Sequence, residues 1–256
     1  MIEEGTYGQF KYLLYKPDHL RKTTDLPLIV VMHGSGEIGS SLSKLKKREP
    51  FISLNSGKFK ANAHILMPQL PKDSWGKMAA EVKKLIDYFA NQLDSDKERI
   101  SLTGHSLGAM GVIELMLKYP NSFSAGASLS SAKNYKAELP KIAHVPLYFL
   151  CGEQEHNYKK YAQEMFAVMN GLNEESKLTI VKGSGHAIQP TWVNSKYGIF
   201  DWLMQFKIGD VKYPAWWQWL DGMGLLDGKG NLTDKADEPI PDDMAKQLKI
   251  KMAKVG

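Results

Sequence analysis

Apolar and polar positions along this chain fall into short blocks whose period switches between that of strands and that of helices. Residues 9–15 read as a first strand. The run Leu28-Ile29-Val30-Val31-Met32 is apolar throughout, the pattern of a strand buried on both faces, and it stops at His33-Gly34. Residues 42–51 predict a helix, and 63–67 a strand ended by Pro68. Across 75–93, Met78, Val82, Leu85, Ile86 and Phe89 recur at helical spacing and mark one buried face. A strand at 100–103 and a helix at 109–119 follow. Further strands are predicted at 124–129, 147–150 and 178–181, with helices at 158–169 and 193–206. Strands separated by helical stretches argue for an α/β fold: a mostly parallel sheet, right-handed crossovers, helices on both faces. Ligands of such sheets collect at the carboxyl ends of the strands.

Composition narrows the classes without choosing one. The chain has 256 residues, 43 % of them apolar, with six Trp, eleven Tyr and nine Phe, enough for a sizeable core. Its net charge of +5, from 33 basic and 28 acidic residues, is a small excess that implies a solvated mixed surface rather than a nucleic-acid site. The dense basic run Lys44, Lys46, Lys47 and Arg48 alternates with Leu42 and Leu45 and reads as an exposed helix face. One cysteine, Cys151, rules out an internal disulfide and lies in an apolar strand. The N-terminus lacks the basic segment and apolar core of a signal peptide, and no apolar run approaches the roughly 20 residues that span a bilayer. A cytoplasmic protein is the default expectation; a secreted or phage-associated chain trimmed of its leader would look the same.

The chemistry concentrates at Gly104-His105-Ser106-Leu107-Gly108, between a predicted strand and a predicted helix. In that setting Gly-x-Ser-x-Gly forms a sharp strand-to-helix turn that presents the serine hydroxyl, and the glycines permit close backbone approach. An acyl-transfer nucleophile also needs donors for the developing oxyanion. The amide of Leu107 is one candidate, and the loop His33-Gly34-Ser35-Gly36-Glu37 supplies the other, most directly Ser35. The base should follow the last strand, and His186 in Gly183-Ser184-Gly185-His186 does so; His19 and His64 precede the serine, and His33 and His105 belong to the motifs themselves. No aspartate lies between Ser106 and His186, so the orienting acid must be a glutamate. Glu155 and Glu153, both directly after the 147–151 strand, are the candidates, with Glu155 preferred.

These residues carry a family resemblance. From about residue 7 to residue 206 the chain resembles the α/β-hydrolase superfamily, specifically its compact esterase branch of phospholipase/carboxylesterase, polyhydroxybutyrate-depolymerase-like and feruloyl-esterase-like proteins. The likeness rests on Leu26 to Glu37, on Met67-Pro68-Gln69 with the later Trp75, on Arg99 to Gly111, and on Phe200-Asp201-Trp202-Leu203. It implies an α/β-hydrolase fold and an acid three residues after Gly152, where this chain has Glu155 in place of the usual aspartate. Little length separates the strands at 129 and 147, so a large cap is not expected. An open cleft, with Trp75, His105, Trp192 and Met110 as candidate lining, would admit bulky or polymer-borne esters.

The expected function is a serine hydrolase of carboxylic esters, with Ser106 as nucleophile, His186 as base, Glu155 as acid, and Leu107 and Ser35 as oxyanion donors. Neither a metal nor an organic cofactor is called for, and the expected partner is a small-molecule or polymer-borne ester. A peptidase or thioesterase could use the same residues, and a non-catalytic binding protein could retain the fold. The catalytic unit is expected to occupy residues 1–207. Residues 208–256, with Trp216, Trp217 and Trp219 and a glycine-rich turn, read as a C-terminal helical extension or small module.

Overall fold

The computed structural model describes residues 1–39 and 41–210. Eight described strands form one sheet: β1 (Ile2–Tyr7), β2 (Phe10–Tyr15), β3 (Leu28–Met32), β4 (His64–Gln69), β5 (Ile100–His105), β6 (Ala125–Leu129), β7 (Leu147–Gly152) and β8 (Lys177–Val181). Their spatial order is β1-β2-β4-β3-β5-β6-β7-β8. β3 through β8 pair in parallel, whereas β2 is antiparallel to both β1 and β4.

The helices are α1 (Ser43–Lys46), α2 (Phe51–Asn55), α3 (Ala79–Gln92), α4 (Leu107–Lys118), α5 (His156–Asn170) and α6 (Ile199–Leu203). Their apolar faces cover both sides of the sheet, and the side alternation of β3 shows how. Leu28, Val30 and Met32 join a core with residues of α3, α4 and α5, while Ile29 and Val31 join a second core with residues of α1, α2 and α6. Every β3 side chain is buried, as its unbroken apolar run requires.

Several elements differ from the sequence expectation, beginning with the strand expected to end at Pro68, which runs through it to Gln69. The strand Ile2–Tyr7 was not expected, because Ile-Glu-Glu-Gly-Thr-Tyr has few apolar residues; it is an edge strand held by backbone pairing to β2. The helix expected at 42–51 is two short helices separated at Glu49-Pro50, since proline supplies no N–H to continue a helix. The helix expected at 193–206 shrinks to Ile199–Leu203, preceded by a 3-10 turn, Gln189–Val193. The positive φ of Gly198, 53°, sets where α6 begins. The expected C-terminal extension, 208–256, lies outside the described residues apart from its first three. No described helix is long and apolar enough to cross a membrane.

The topology places the site. The connection leaving β3 leads to β4 on one side, and the one leaving β5 leads to β6 on the other. A crevice therefore opens at the carboxyl ends of β3 and β5, the switch point of the sheet. The loops after β3, β5, β6, β7 and β8 all emerge at that edge.

Candidate active site

Ser106 follows β5 directly and caps α4, with φ 58° and ψ −114°. A non-glycine residue there is strained by roughly 1–3 kcal/mol, a cost the surrounding backbone must hold. Its amide donates to Leu129 O at 2.9 Å, and its carbonyl accepts from the Met110 amide at 3.2 Å. The flanking glycines are required by contact. A β-carbon on Gly108 would overlap the Met32 carbonyl, and one on Gly104 would overlap the Gly108 carbonyl. The tight turn thus lets β5, α4 and β3 meet at backbone distance.

The loop after β3 lies against this turn. A β-carbon on Gly34 would stand 3.7 Å from Ser106 Cβ, so the main chain of the loop passes beside the serine. Residues Ser35–Glu37 form a 3-10 turn, and Leu107 is the first residue of α4. Leading amides of such elements have no intrahelical acceptor. The Ser35 and Leu107 N–H groups are among these leading amides.

Three side chains fasten that loop. His33 donates from Nδ1 to Gly34 O at 2.6 Å and accepts the Leu70 amide on Nε2 at 2.8 Å. Burial pushes its pKa down to about 4, so it is an uncharged structural ring. Buried Gln69 donates from Nε2 to Glu37 O at 2.9 Å and to Ser41 O at 3.0 Å. The Glu37 carboxylate, itself buried, accepts from Arg48 Nε at 2.7 Å. Neither the Gln69 bonds nor the Glu37 pair could be read from sequence, where Gln69 was only part of a proline-glutamine turn.

At the far side of the crevice, Glu155 sits at the start of α5 and His186 in the irregular 182–188 loop after β8. His186 Nδ1–H donates to Glu155 Oε1 at 2.5 Å. The other carboxylate oxygen accepts from the Gly152 amide at 2.6 Å and from Ser130 Oγ at 2.6 Å. Three donors thus satisfy a carboxylate whose side chain is only 5 % exposed. Its negative charge is felt nearby: burial and then Glu155 push the Cys151 thiol up to about 12, which leaves that cysteine unreactive. Glu153 goes elsewhere, accepting the Gly183 amide at 2.8 Å. Of the two glutamates, Glu155 meets the histidine.

The extra methylene of glutamate is accommodated by the backbone. Glu155 has φ −89° and ψ 72°, outside the helix it caps, and its side chain folds back to the amide of Gly152 three residues earlier. Ser130, with φ 56°, reaches the same carboxylate from the end of β6. Sequence reasoning missed Ser130; its one signal was a serine directly after a strand of the sheet.

With Nδ1 donating to the carboxylate, His186 carries its free lone pair on Nε2. Its ring lies 4.5 Å from that of His105, the residue before Ser106, and 5.2 Å from that of Tyr158 on α5. These contacts join the serine turn and the acid–histidine pair.

Two expected cleft residues belong to the core. Trp75 is fully buried, donates from Nε1 to His33 O at 3.1 Å and packs on the ring of His33. Trp192, 2 % exposed, donates from Nε1 to Thr103 Oγ1 at 2.7 Å. Each indole anchors a strand end from beneath, because a large ring with one donor satisfies both packing and a buried acceptor there. His105 is likewise buried and offers no cleft surface, whereas Met110 is half-buried against the core. Among the described residues, no group of three or more His, Cys, Asp or Glu side chains is arranged to hold a metal ion.

Comparison with known proteins agrees with this architecture. Residues 75–192 match the model of the Esterase family, described as "Putative esterase". No curated protein matches the sequence. Among solved structures, a thermostable esterase superposes with a TM-score of 0.64 at 17 % identity, covering 81 % of this chain and 63 % of its own. The feruloyl esterase module of Clostridium thermocellum, complexed with sinapinate, gives 0.62 at 12 % identity, covering 80 % and 87 %. S-formylglutathione hydrolase of Staphylococcus aureus gives 0.61 at 14 % identity, covering 80 % and 96 %. This sheet, with its serine turn at the strand β5 to helix α4 junction, has the α/β-hydrolase fold, and residues 75–192 within it match the Esterase family model.

Proposed function

We propose that the protein is a serine hydrolase that cleaves carboxylic esters through an acyl-enzyme. The observation that carries this reading is the bond from His186 Nδ1–H to the buried Glu155, which leaves Nε2 to act as the base in a ring 4.5 Å from that of His105, the residue before the strained Ser106. Ser106 Oγ attacks the ester carbonyl as His186 takes its proton. Glu155 keeps the imidazole in the required tautomer and stabilises its charged form. The Leu107 and Ser35 amides bind the tetrahedral oxyanion, aided by the positive end of α4. His186 returns the proton to the departing alcohol. Water, deprotonated by the same base, then releases the acid and restores Ser106.

What lies over the site among the described residues supports a substrate class. The connection from β6 to β7, residues 130–146, holds a single 3-10 turn, Leu139–Ile142, and no cap of several helices. Bulky or polymer-borne esters fit such an edge. A thioester leaving group is the second reading, favoured by the shared fold with S-formylglutathione hydrolase.

The test is covalent. A fluorophosphonate probe should label wild-type protein at Ser106, and Ser106→Ala should lose both labelling and p-nitrophenyl acetate hydrolysis, a fall on the order of 10⁶ in kcat. Unchanged hydrolysis by the alanine variant would remove the serine from the mechanism. A panel of short acyl, feruloyl and thioester substrates ranks the leaving groups.

A further inference from the structure

We propose that His105 is a positioning residue for the base: a buried imidazole that fixes both the main chain and the ring plane of His186. The inference rests on the serine-hydrolase reading and adds a residue to it.

His186 needs such support because of where it lies. Residues 182–188 form neither helix nor strand, and the His186 side chain is 45 % exposed. A base that must meet a serine to within a fraction of an ångström cannot rely on a loop backbone alone. Glu155 holds one atom of the ring, Nδ1, and the loop's bonds to residues 153 and 154 end at Gly183 and Ser184, which leaves rotation about the Nδ1 bond and movement of the main chain at His186 to be opposed.

His105 opposes both. Its Nε2–H donates to the His186 carbonyl at 2.7 Å. A carbonyl only accepts, so the proton resides on Nε2. Nδ1 then accepts, and Gln189 Nε2 donates to it at 3.1 Å. The Ile188 amide donates to the same His186 carbonyl at 3.0 Å, so both lone pairs of that oxygen are engaged. The ring planes add the second restraint. Among the described residues the His186 ring lies against His105 at 4.5 Å and 46° and Tyr158 at 5.2 Å and 57°. Gln189 opens the 3-10 turn that follows the loop, so one glutamine links the tautomer of His105 to the end of the segment carrying the base.

Electrostatics suit the same role. The charged or titratable groups that act on His105 are His186, Glu155 and Arg48, and burial outweighs them, pushing its pKa down to about 4. An uncharged ring beside His186 lets the base become an imidazolium without facing a like charge. A surface histidine at this position would titrate with its neighbour and oppose it.

Two variants and one spectrum test the proposal. His105→Phe keeps a ring against His186 and removes the donor. Gln189→Leu leaves the buried ring intact and removes the group that fixes its tautomer. Both should lower kcat, His105→Phe by about 10- to 100-fold and Gln189→Leu by less, with KM little changed. His105→Gln, which offers an N–H to the same carbonyl, should recover part of the loss. The proton NMR spectrum should show the Nδ1–H of His186 as a downfield resonance in wild type, broadened by exchange in both first variants. Wild-type kcat per labelled site and a sharp resonance in both variants would overturn the proposal. So would a loss confined to melting temperature and folded fraction. The resonance is read without turnover, so it decides the role of His105 even where wild-type protein fails to hydrolyse any ester, the outcome that would instead defeat the serine-hydrolase reading.

Discussion

The half of the site that carries the proposed nucleophile, β5, Ser106 and α4, is held by main chain, whereas the half that carries the proposed acid and base, on the loops after β7 and β8, is held largely by side chains. At Ser106 the anchors are backbone hydrogen bonds to β6 and α4, and the neighbours that fix the turn are carbonyls packed against glycines. At Glu155 and His186 the anchors come largely from side chains: Ser130, His105, and the carboxylate and imidazole themselves. The difference has a cause. The nucleophile must protrude from a strand end, which only an unusual backbone achieves. The base must stay on an exposed loop, where main-chain bonds such as Ile188 N–H to His186 O are supplemented by side-chain bonds.

The strongest way to sharpen this contrast is to disable the acid while leaving the fold. Glu155→Gln keeps the volume and the acceptor for Gly152, but presents His186 with no carboxylate. Turnover of p-nitrophenyl acetate should fall on the order of 10⁴-fold with an unchanged melting curve. Glu153→Gln, measured alongside, should leave turnover near wild type; a reversed pair of results would move the acid.

The nucleophile half should break the other way, through the fold. Gly108→Ala forces a β-carbon into the Met32 carbonyl, and neither backbone can yield without separating β3 from α4. Urea denaturation should show a loss of about 3 kcal/mol, toward the upper end for overpacking. An alanine variant as stable as wild type would mean that the turn is looser than drawn.

The smallest effect per residue, and one that treats both halves alike, comes from acid. His33, His64, His105 and His144 all have pKa values lowered by burial to about 4. The unfolded chain, with ordinary values near 6.5, therefore binds more protons than the folded one between about pH 4 and 6.5. Stability is full above that window and falls as pH drops through it, by about 1 kcal/mol per buried histidine between pH 7 and 5.5. Chemical denaturation at stepped pH measures the slope. A flat profile down to pH 5 would show that these rings take protons within the fold.

Local order was legible wherever a single segment decides its own state. The Leu28–Met32 run, the helical stripe from Met78 to Phe89 and the glycines around Ser106 each specify strand, helix or tight turn by period and by backbone freedom. The chain order of serine, acid and histidine, together with the missing aspartate, narrowed the acid to Glu153 or Glu155. The edge strand Ile2–Tyr7 was not legible, because backbone pairing rather than an apolar face holds it.

Tertiary structure decided what depends on direction between segments far apart. Trp75 and Trp192 look alike in sequence to cleft aromatics, but each indole turns inward to a buried acceptor on another strand or loop. Ser130, Tyr158 and Gln189 carry no motif, and they acquire their contacts with Glu155, His186 and His105 only when the sheet aligns its carboxyl ends. The sequence by itself determined most of the elements, the turn at Ser106 and the kinds of groups that could cooperate with it, since spacing and backbone preference act along the chain. Which glutamate meets His186, and which neighbours hold that histidine still, was settled only in three dimensions. Hydrogen bonds of under 3 Å form between residues brought together by the fold, and no local pattern encodes their direction.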